Sequence, residues 1–551
     1  MIASPETRQS RWYRYGNGSD QICRRYRLMG VTRRCDGPVH GTGARGGPIA
    51  NSSVPHHQHP SGGGAESMST NRGKRGENEL ALKNFESVRK GELHATSSRR
   101  SVVAGMQCLG AGLWWVGGAH AAAARGIGSA DAGDSLLVKD IEKRLEDSVT
   151  EFTLDNGMKF IVRERRNAPI CSFHTYADVG AFDEEEKTGI AHLLEHLAFK
   201  GSPRGSLDYK KESEVLDAMD EVFMESLAAP SKKQAAVLKD RLDAMQTEAS
   251  KLAMSNAFGA LLMREGAVGL NAATSHDSTK YYCSMPSNKI ELWFALEAER
   301  FQAPVFRDVY SEKKVVLEER RLRVDSSPLG RFQEKFAEES LTNNYRRPVI
   351  GYEEDIERIG RRDVASFFKD KYGPESLTVA IVGDVSPSKV LQYAEKYFGG
   401  WRREVRRTAR CDGYEKEPLA APEVGQRRVM TASSKAGPLL VRSWYRPCIR
   451  NQSVSLALDA MDDFLTGSRS SRTYRNLVEK SIALSVSSYA THPGEKHATQ
   501  LLSYAIPAPG VSLETLDTSL LREIEQLLEK GPSKEELMQY KKVCMIASMA
   551  F

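Results

Sequence analysis

The stretch Gly189–Ile–Ala–His–Leu–Leu–Glu–His–Leu–Ala–Phe199 constrains the fold of this 551-residue chain more than any other feature. It holds His192, Glu195 and His196 in the spacing H-x-x-E-H. At about 100° per residue, a helix puts these side chains on one arc of about 100°, with the imidazoles about 6 Å apart along its axis. Two imidazoles one turn apart can bind a single tetrahedral Zn²⁺. The chain is therefore expected to form a helix here and to bring a further ligand from elsewhere.

The same geometry assigns a role to Glu195. It would lie beside the ion without binding it, and it could take a proton from water whose pKa zinc lowers from 15.7 to about 7. The alternative is a helix whose histidines pack in the core. Chance gives only about 0.02 such matches in a chain of this composition, so a metal site is the favoured interpretation. A carboxylate would suit as third ligand, but the residues alone do not choose among Glu312, Glu318 and Glu319, since Glu is mostly solvent-exposed.

Hydrophobic patterning predicts an α+β chain whose body begins near residue 145. Asn156–Gly157 predicts a β-hairpin turn, and Thr188 is a candidate N-cap for the helix over 189–199. Further elements predicted are a strand at 170–179, two charged helices within 207–258, a strand at 268–285, helices at 288–300, 307–324 and 355–372, and a strand at 377–382. The irregular segment 401–424 would be a linker between a domain at 145–400 and a second strand–helix series at 425–551.

The N-terminal extension differs in composition from the body. Residues 1–100 hold 17 Lys and Arg against 8 Asp and Glu, although the whole chain carries only +6. Residues 1–98 are predicted to be a disordered, transit-like presequence. Segment 99–124 combines Arg99–Arg100, an apolar run and Ala119–His120–Ala121, which is typical of a twin-arginine signal. The two together predict a chloroplast protein of the thylakoid lumen. The alternatives are a mitochondrial protein or a membrane anchor, the latter only if 102–124 stays uncleaved.

Composition excludes several classes of protein. Without the first hundred residues the chain is slightly acidic, so the body gives no charge argument for nucleic-acid binding. Eight Cys with no C-x-x-C pair exclude a disulfide scaffold or a Cys-based zinc ribbon.

Several stretches besides Gly189–Gly201 resemble the pitrilysin/insulinase family of zinc metallopeptidases, whose H-x-x-E-H signature defines the inverzincins. The similarity covers about 150–545 in consistent order, and it is closest to the bacterial-type processing-peptidase branch. The matching stretches are Gly269–Tyr281, Glu312–Glu319, Arg347–Gly351, Leu377–Asp384 and Ser470–Glu479.

The resemblance implies a role for each residue of the metal site. His192, His196 and Glu319 would bind one Zn²⁺ per chain, and Glu195 would be the general base. Glu312, on the same helical face as Glu319, would support a ligand without binding the ion itself. The distance in sequence from His196 to Glu319 is longer than usual in the family, and the helical segment 207–258 would be the insertion that accounts for it.

The resemblance also implies substrates and partners. Asn271 and Ala272 would belong to an edge strand that holds an extended peptide through its backbone. Two homologous domains would form one half of a clamshell that admits short or unfolded peptides, so a homodimer or a paired homologous subunit is expected. The chain stops at Phe551, before the last strand and helix of the family's second domain, which would then be incomplete.

The sequence is therefore compatible with three functions. The first is an organellar zinc metalloendopeptidase. The second is a non-catalytic or weakly active partner subunit of a peptidase complex, which the early C-terminus favours. The third is a membrane-anchored structural protein with an incidental histidine helix.

Overall fold

A computed structural model describes residues 148–254, 257–402, 428–433 and 437–550, with side chains to residue 544. The predicted presequence, the signal segment and nearly all of the predicted linker lie outside these residues. Within the described part of the chain, no helix combines the length and apolar character needed to cross a bilayer. Residues 148–402 are called the first domain below, and the described residues from 428 onward the second domain.

The first domain is built on a six-stranded sheet with the order β1-β2-β6-β3-β5-β4. All neighbouring strands run antiparallel except β2 and β6, which are parallel. The predicted hairpin at Asn156–Gly157 is confirmed, with Gly157 at φ +91° in the turn between β1 and β2. The strands are β1 Val149–Thr153, β2 Lys159–Glu164, β3 Ile170–Ala177, β4 Val268–Thr274, β5 Thr279–Pro286 and β6 Leu377–Gly383.

Ten helices of the first domain lie among the described residues, and several of them pack on this sheet. The main core includes Phe160 and Phe173 of the strands, Leu193 of the first helix and Phe294 of the fifth. The helices are α1 Ile190–Leu197, α2 Tyr209–Leu227, α3 Lys232–Ser250, α4 Ala257–Arg264, α5 Ile290–Gln302, α6 Val309–Arg320, α7 Pro328–Ser340, α8 Glu353–Arg358, α9 Arg361–Lys371 and α10 Pro387–Phe398.

The second domain places helices beside a three-stranded antiparallel sheet of order β7-β9-β8. Its own core gathers residues such as Phe464, Leu477 and Leu520. The elements are β7 Leu440–Arg446, α11 Gln452–Thr466, β8 Ala483–His492, β9 Thr499–Pro507, α12 Leu513–Lys530 and α13 Lys534–Ala550. The α+β class predicted from the sequence is confirmed in both domains.

Two predicted elements are wrong in their extent. The strand predicted over 268–285 is the hairpin of β4 and β5, because Ser275 and Ser278 close a turn through their backbones and side chains. The single helix predicted over 355–372 is α8 and α9, which break at Gly360. That glycine packs so closely on Phe223 that a Cβ would lie 2.9 Å from the ring.

The helical hairpin α2–α3 is fastened to the segment that leads into α6. Buried Arg307 makes a bidentate ion pair with Glu212 of α2 at 2.7 and 3.0 Å. Tyr310 of α6 donates to Asp220 of α2 at 2.8 Å, and Gln246 of α3 donates to Asp308 at 2.8 Å. The region predicted as an insertion is thus part of the packed first domain.

Candidate metal centre

Helix α1 carries the H-x-x-E-H motif and begins after Gly189, which adopts φ +90°. Thr188 does not cap this helix, contrary to the prediction, because its backbone N–H and hydroxyl both donate to Asp355. Instead the buried carboxylate of Glu184 accepts the N–H groups of Gly189 at 3.0 Å and Ala191 at 2.8 Å. A carboxylate at a helix N-terminus satisfies donors that the helix leaves unpaired and complements its dipole.

A second glycine makes the start of α1 possible. Gly351 has φ +87°, and its backbone passes Thr188 and Gly189 so closely that a Cβ would lie 2.6 Å from the Thr188 carbonyl oxygen and 2.7 Å from the Gly189 Cα. A side chain here would push against backbone atoms, which cannot swing aside as a flexible side chain could.

We expect Gly351→Ala to lower the free energy of unfolding by more than about 2 kcal/mol, because it adds a backbone clash to the cost of a left-handed residue. Gly510→Ala is the matched control, since Gly510 has φ +83° but no atom within 4 Å of its would-be Cβ. Urea unfolding followed by circular dichroism measures both variants. Equal losses in the two would show that the close approach contributes nothing.

Three donor atoms from α1 and α6 converge on one point. Oε2 of Glu319 lies 3.6 Å from Nε2 of His192 and 3.7 Å from Nε2 of His196, and all three donor atoms fall within 4.8 Å of one another. Ligands about 2.1 Å from a tetrahedral zinc ion are about 3.4 Å apart. The spacing and the donor set of two imidazoles and one carboxylate therefore fit a zinc ion with its fourth position open.

Burial keeps His192 in the form that can bind a metal. The residue is 9% exposed, and burial, together with the charges of His196 and Arg323, lowers its pKa to about 3. Only an unprotonated imidazole nitrogen can ligate a cation. The other ring nitrogen, Nδ1, is buried without a hydrogen-bond partner among the described residues.

Glu312 contacts His196 on the side away from the ligand cluster. Oε2 of Glu312 lies 3.2 Å from Nδ1 of His196, so an Nδ1–H donor leaves Nε2 free for a metal. This hydrogen bond also raises the pKa of His196. The ammonium group of Lys200 lies 2.6 Å from the other oxygen of Glu312. Burial would raise the pKa of Glu312, but the hydrogen bonds from His196 and Lys200 outweigh it and hold that pKa below its usual value.

Glu319 is held in a similar way at the end of α6. Its Oε2 faces the two histidines, while its Oε1 accepts from Arg323 at 2.7 Å. Arg323 lies four residues later, in a π-helical turn over Arg321–Asp325 that follows α6 directly. Single π-helical turns occur often at functional sites. Here the turn places the guanidinium beside the ligand carboxylate.

Glu195 lies on the same side of α1 but has a different partner. Its carboxylate accepts a hydrogen bond from the hydroxyl of Thr274, the last residue of β4. Burial raises the pKa of Glu195, and the Thr274 hydrogen bond opposes that rise. A partly buried carboxylate with a raised pKa is suited to accepting a proton near neutral pH.

Asn271 and Ala272 lie in β4, which is the edge strand of the six-stranded sheet. They pair with Tyr282 and Tyr281 of β5 on one side. No strand among the described residues pairs with the other side of β4. The strand therefore offers backbone groups for pairing in line with Thr274 and Glu195.

The structure thus brings His192, His196 and Glu319 together, places Glu312 on His196, and puts the strand of Asn271 and Ala272 next to Glu195.

Four residues with roles at this site were missed by sequence reasoning: Glu184, Lys200, Thr274 and Arg323. Arg323 follows Glu319 by four residues at the end of α6, a spacing that brings side chains together, whereas Lys200 contacts Glu312, which is far from it in sequence. Glu184 and Thr274 have no such local signal.

Two protein-family models match the chain. The model described as insulinase (peptidase family M16) matches residues 159–216 and 242–351, and the model described as peptidase M16 inactive domain matches residues 358–544. Together they cover more than half of the chain. Residues 217–241, which the first model leaves unmatched, fall within the α2–α3 hairpin.

Individual proteases also match the chain, at low sequence identity. Zinc protease PqqE of Helicobacter pylori is 24% identical over 394 residues, which are 71% of this chain and 77% of the relative. A zinc protease of Streptomyces coelicolor is 24% identical over 358 residues, covering 62% of this chain but only 65% of the relative. The crystal structure of a protease from Helicobacter pylori has a TM-score of 0.57 at 23% identity, covering 72% of this chain and 85% of that one. The structural likeness shows a shared fold.

Proposed function

Because the chain belongs to the insulinase family, peptidase family M16, we propose that it is a zinc-dependent metalloendopeptidase that hydrolyses peptide bonds of short or unfolded peptides. The observation that carries this proposal is the convergence of the His192, His196 and Glu319 donor atoms at tetrahedral spacing, with the carboxylate of Glu195 beside them.

Each residue of the site has a part in this reaction. The two histidines and Glu319 would hold Zn²⁺. When bound, this ion would act as a Lewis acid that lowers the pKa of water and polarises a carbonyl group. Glu195 takes the proton of the attacking water at its carboxylate and later gives it to the leaving amine. Thr274 fixes the orientation of that carboxylate through its hydroxyl. Glu312 fixes the ring of His196, and Arg323 fixes the carboxylate of Glu319.

The edge strand β4 supports a peptide substrate. An extended peptide that pairs with β4 receives main-chain hydrogen bonds irrespective of its side chains, which accounts for broad sequence tolerance. Because β4 ends at Thr274, such a peptide lies alongside the residue that contacts Glu195. In this proposal the scissile bond lies next to the general base and the metal donors.

A non-catalytic partner subunit remains the second candidate, since the family model over residues 358–544 is described as an inactive domain. The complete donor set in the first domain favours the enzyme. The test is to measure zinc per chain and to assay cleavage of an unstructured peptide. A folded protein with bound zinc and no cleavage, alone or with a partner subunit added, would contradict the endopeptidase.

We expect Thr274→Val to lower kcat by about tenfold or more while zinc binding persists. A hydrogen bond to a charged group contributes about 1.5–3 kcal/mol, and valine has nearly the shape of threonine without its hydroxyl. Steady-state cleavage and zinc content are the measurements. Thr247→Val is the control, because Thr247 is an exposed residue of α3 whose hydroxyl bonds only within its own helix. A variant with unchanged kcat would remove Thr274 from the site.

Location and assembly belong to the same proposal. We place the enzyme in an organelle, with the chloroplast thylakoid lumen as its compartment, on the composition of residues 1–124. Sequencing the mature N-terminus tests this, since a start near Ala122 supports signal cleavage and an intact 102–124 supports an anchor. We also propose that a second copy or a homologous subunit forms the other half of the clamshell. Light scattering of the purified protein measures whether it is a dimer.

A further inference from the structure

We propose that the loop between β8 and β9, residues 493–498 of the second domain, is a positioning element for the general base Glu195. It acts through the turn between β4 and β5, residues 275–278, and through Thr274. This inference rests on the proposed peptidase function, in which Glu195 is the base. It assigns the second domain a part in catalysis although that domain contributes no atom to the donor cluster.

Asp277, at the tip of the β4–β5 turn, is the centre of this contact. Its side chain is 8% exposed. One carboxylate oxygen accepts the backbone N–H groups of Glu495 at 2.7 Å and Lys496 at 3.3 Å. The other accepts the hydroxyl of Tyr345 at 2.5 Å. A buried carboxylate with three donors is strongly fixed, and two of these donors come from the second domain.

Lys496 adds a second fastening beside Asp277. Its ammonium group donates to the carbonyl oxygen of Asp277 and forms an ion pair with Asp178, which follows the end of β3. The side chain of Lys496 is four-fifths buried, so this ion pair is less screened by solvent than a surface pair. Lys496 therefore ties the loop to the β4–β5 turn and to the residue that follows β3.

Aromatic packing makes the contact rigid. The ring of His497 stacks on Phe182 with centroids 3.6 Å apart, and Tyr345 meets Phe182 edge-on at 4.8 Å. The backbone N–H of His497 donates to the Tyr345 hydroxyl at 3.1 Å. Gly494 passes Tyr345 so closely that a Cβ would lie 2.5 Å from its ring. The loop has no room to shift sideways without moving these rings.

The other end of the loop is anchored in the second domain. The carbonyl oxygen of Glu495 accepts the backbone N–H of Ile449 at 2.9 Å. The Thr499 hydroxyl donates to the carbonyl oxygen of His492 at 2.6 Å, which closes the base of the loop. Because the loop is bonded both to the second domain and to Asp277, a displacement of the second domain would also displace Asp277.

From Asp277 the path to the base is short. The turn is closed by the backbone N–H of Ser275, which donates to the carbonyl oxygen of Ser278 at 2.8 Å. Thr274 precedes Ser275 directly, and its hydroxyl donates to Glu195. Because catalytic rate is sensitive to displacements of about 1 Å, a turn that drifts by that distance carries Thr274 away from its hydrogen bond with Glu195.

The experiment compares Lys496→Met with Lys480→Met in the full chain. Lys480 is an exposed second-domain lysine that bonds to Asn476, so it is a matched control. We expect Lys496→Met to lower kcat about tenfold with KM changed less than about twofold and zinc content unchanged. Hydrogen exchange by mass spectrometry should show faster exchange of backbone amides in residues 274–278 of this variant and not of the control.

A double-mutant cycle separates positioning from general destabilisation. In a Thr274→Val background, Lys496→Met should have little further effect on kcat, because the hydrogen bond it acts through is already gone. Additive losses in kcat would overturn the proposal, as would equal behaviour of Lys496→Met and Lys480→Met. Tyr345→Phe, which removes only the hydroxyl shared by Asp277 and His497, serves as second variant and should give the same pattern.

A failure of the proposed function would look different. If the wild-type chain binds zinc but cleaves no peptide, the peptidase assignment fails. Hydrogen exchange alone then tests whether the loop over residues 493–498 holds the β4–β5 turn in place. Unchanged exchange at 274–278 in Lys496→Met and Tyr345→Phe would then overturn the positioning role, and faster exchange in both would support the mechanical link.

Discussion

Replacing Glu195 with glutamine is expected to lower kcat/KM for an unstructured peptide by about 10²- to 10⁴-fold, the contribution usual for a general base. Glutamine has the size of glutamate and still accepts a hydrogen bond from the Thr274 hydroxyl through its amide oxygen. It cannot take a proton from water, and that is the step assigned to Glu195. Because Glu195 is not among the three donors, the variant should keep about one zinc ion per chain.

The control for this prediction is Glu186→Gln. Glu186 lies nine residues earlier, is exposed and takes no part in the donor cluster, so its replacement should leave both zinc content and cleavage unchanged. Zinc is measured by atomic emission on protein freed of excess metal, and cleavage by release of a quenched fluorophore. Equal cleavage by wild type and Glu195→Gln would remove Glu195 from the role of base.

Replacing His192 and His196 together with alanine is expected to abolish zinc binding and, with it, peptide cleavage. One carboxylate, Glu319, would remain of the three donors, and a single monodentate ligand does not retain zinc against a chelator. Wild-type protein should unfold at a higher temperature with zinc than after chelation, because an ion that binds only the native state stabilises it. The double variant should unfold at one temperature in both conditions.

His174→Ala is the matched control for the histidine variant. His174 is exposed on β3, stacks on Tyr282 and is not one of the three donors. It should bind zinc and cleave as wild type does. A double variant that retains stoichiometric zinc would place the metal elsewhere in the chain and would end the case for the donor cluster.

The spacing H-x-x-E-H was enough to predict the helix that carries the two histidines and Glu195, because helical geometry brings the three side chains to one side of it. That spacing did not choose Glu319 over Glu312 or Glu318, because a pairing across more than a hundred residues leaves no local trace. Only the family resemblance made that choice. The structure places Glu319 at the two histidines and Glu312 on the ring of His196, and Glu318 pairs with the exposed Arg321 instead.

The errors in the predicted elements have the same origin. Thr188 is of a residue type preferred at N-caps. In the structure, however, Glu184 accepts the free N–H groups and Thr188 pairs with Asp355. The β4–β5 turn was missed because its residues include no glycine or proline, and its contacts reach residues of both domains that are distant in sequence, such as Phe182 and Glu495. Gly360, by contrast, was a visible signal for the break between α8 and α9.

The attachment of the α2–α3 hairpin limits how the chain can be shortened by protein engineering. Although a family model leaves its centre unmatched, excising it would strand the buried guanidinium of Arg307 and the hydroxyl of Tyr310 without their carboxylate partners. Arg307 lies just before α6 and Tyr310 in its first turn, and the same helix carries Glu319 near its end. A minimal enzyme made by trimming this hairpin would need compensating substitutions at both positions to keep its third ligand in place.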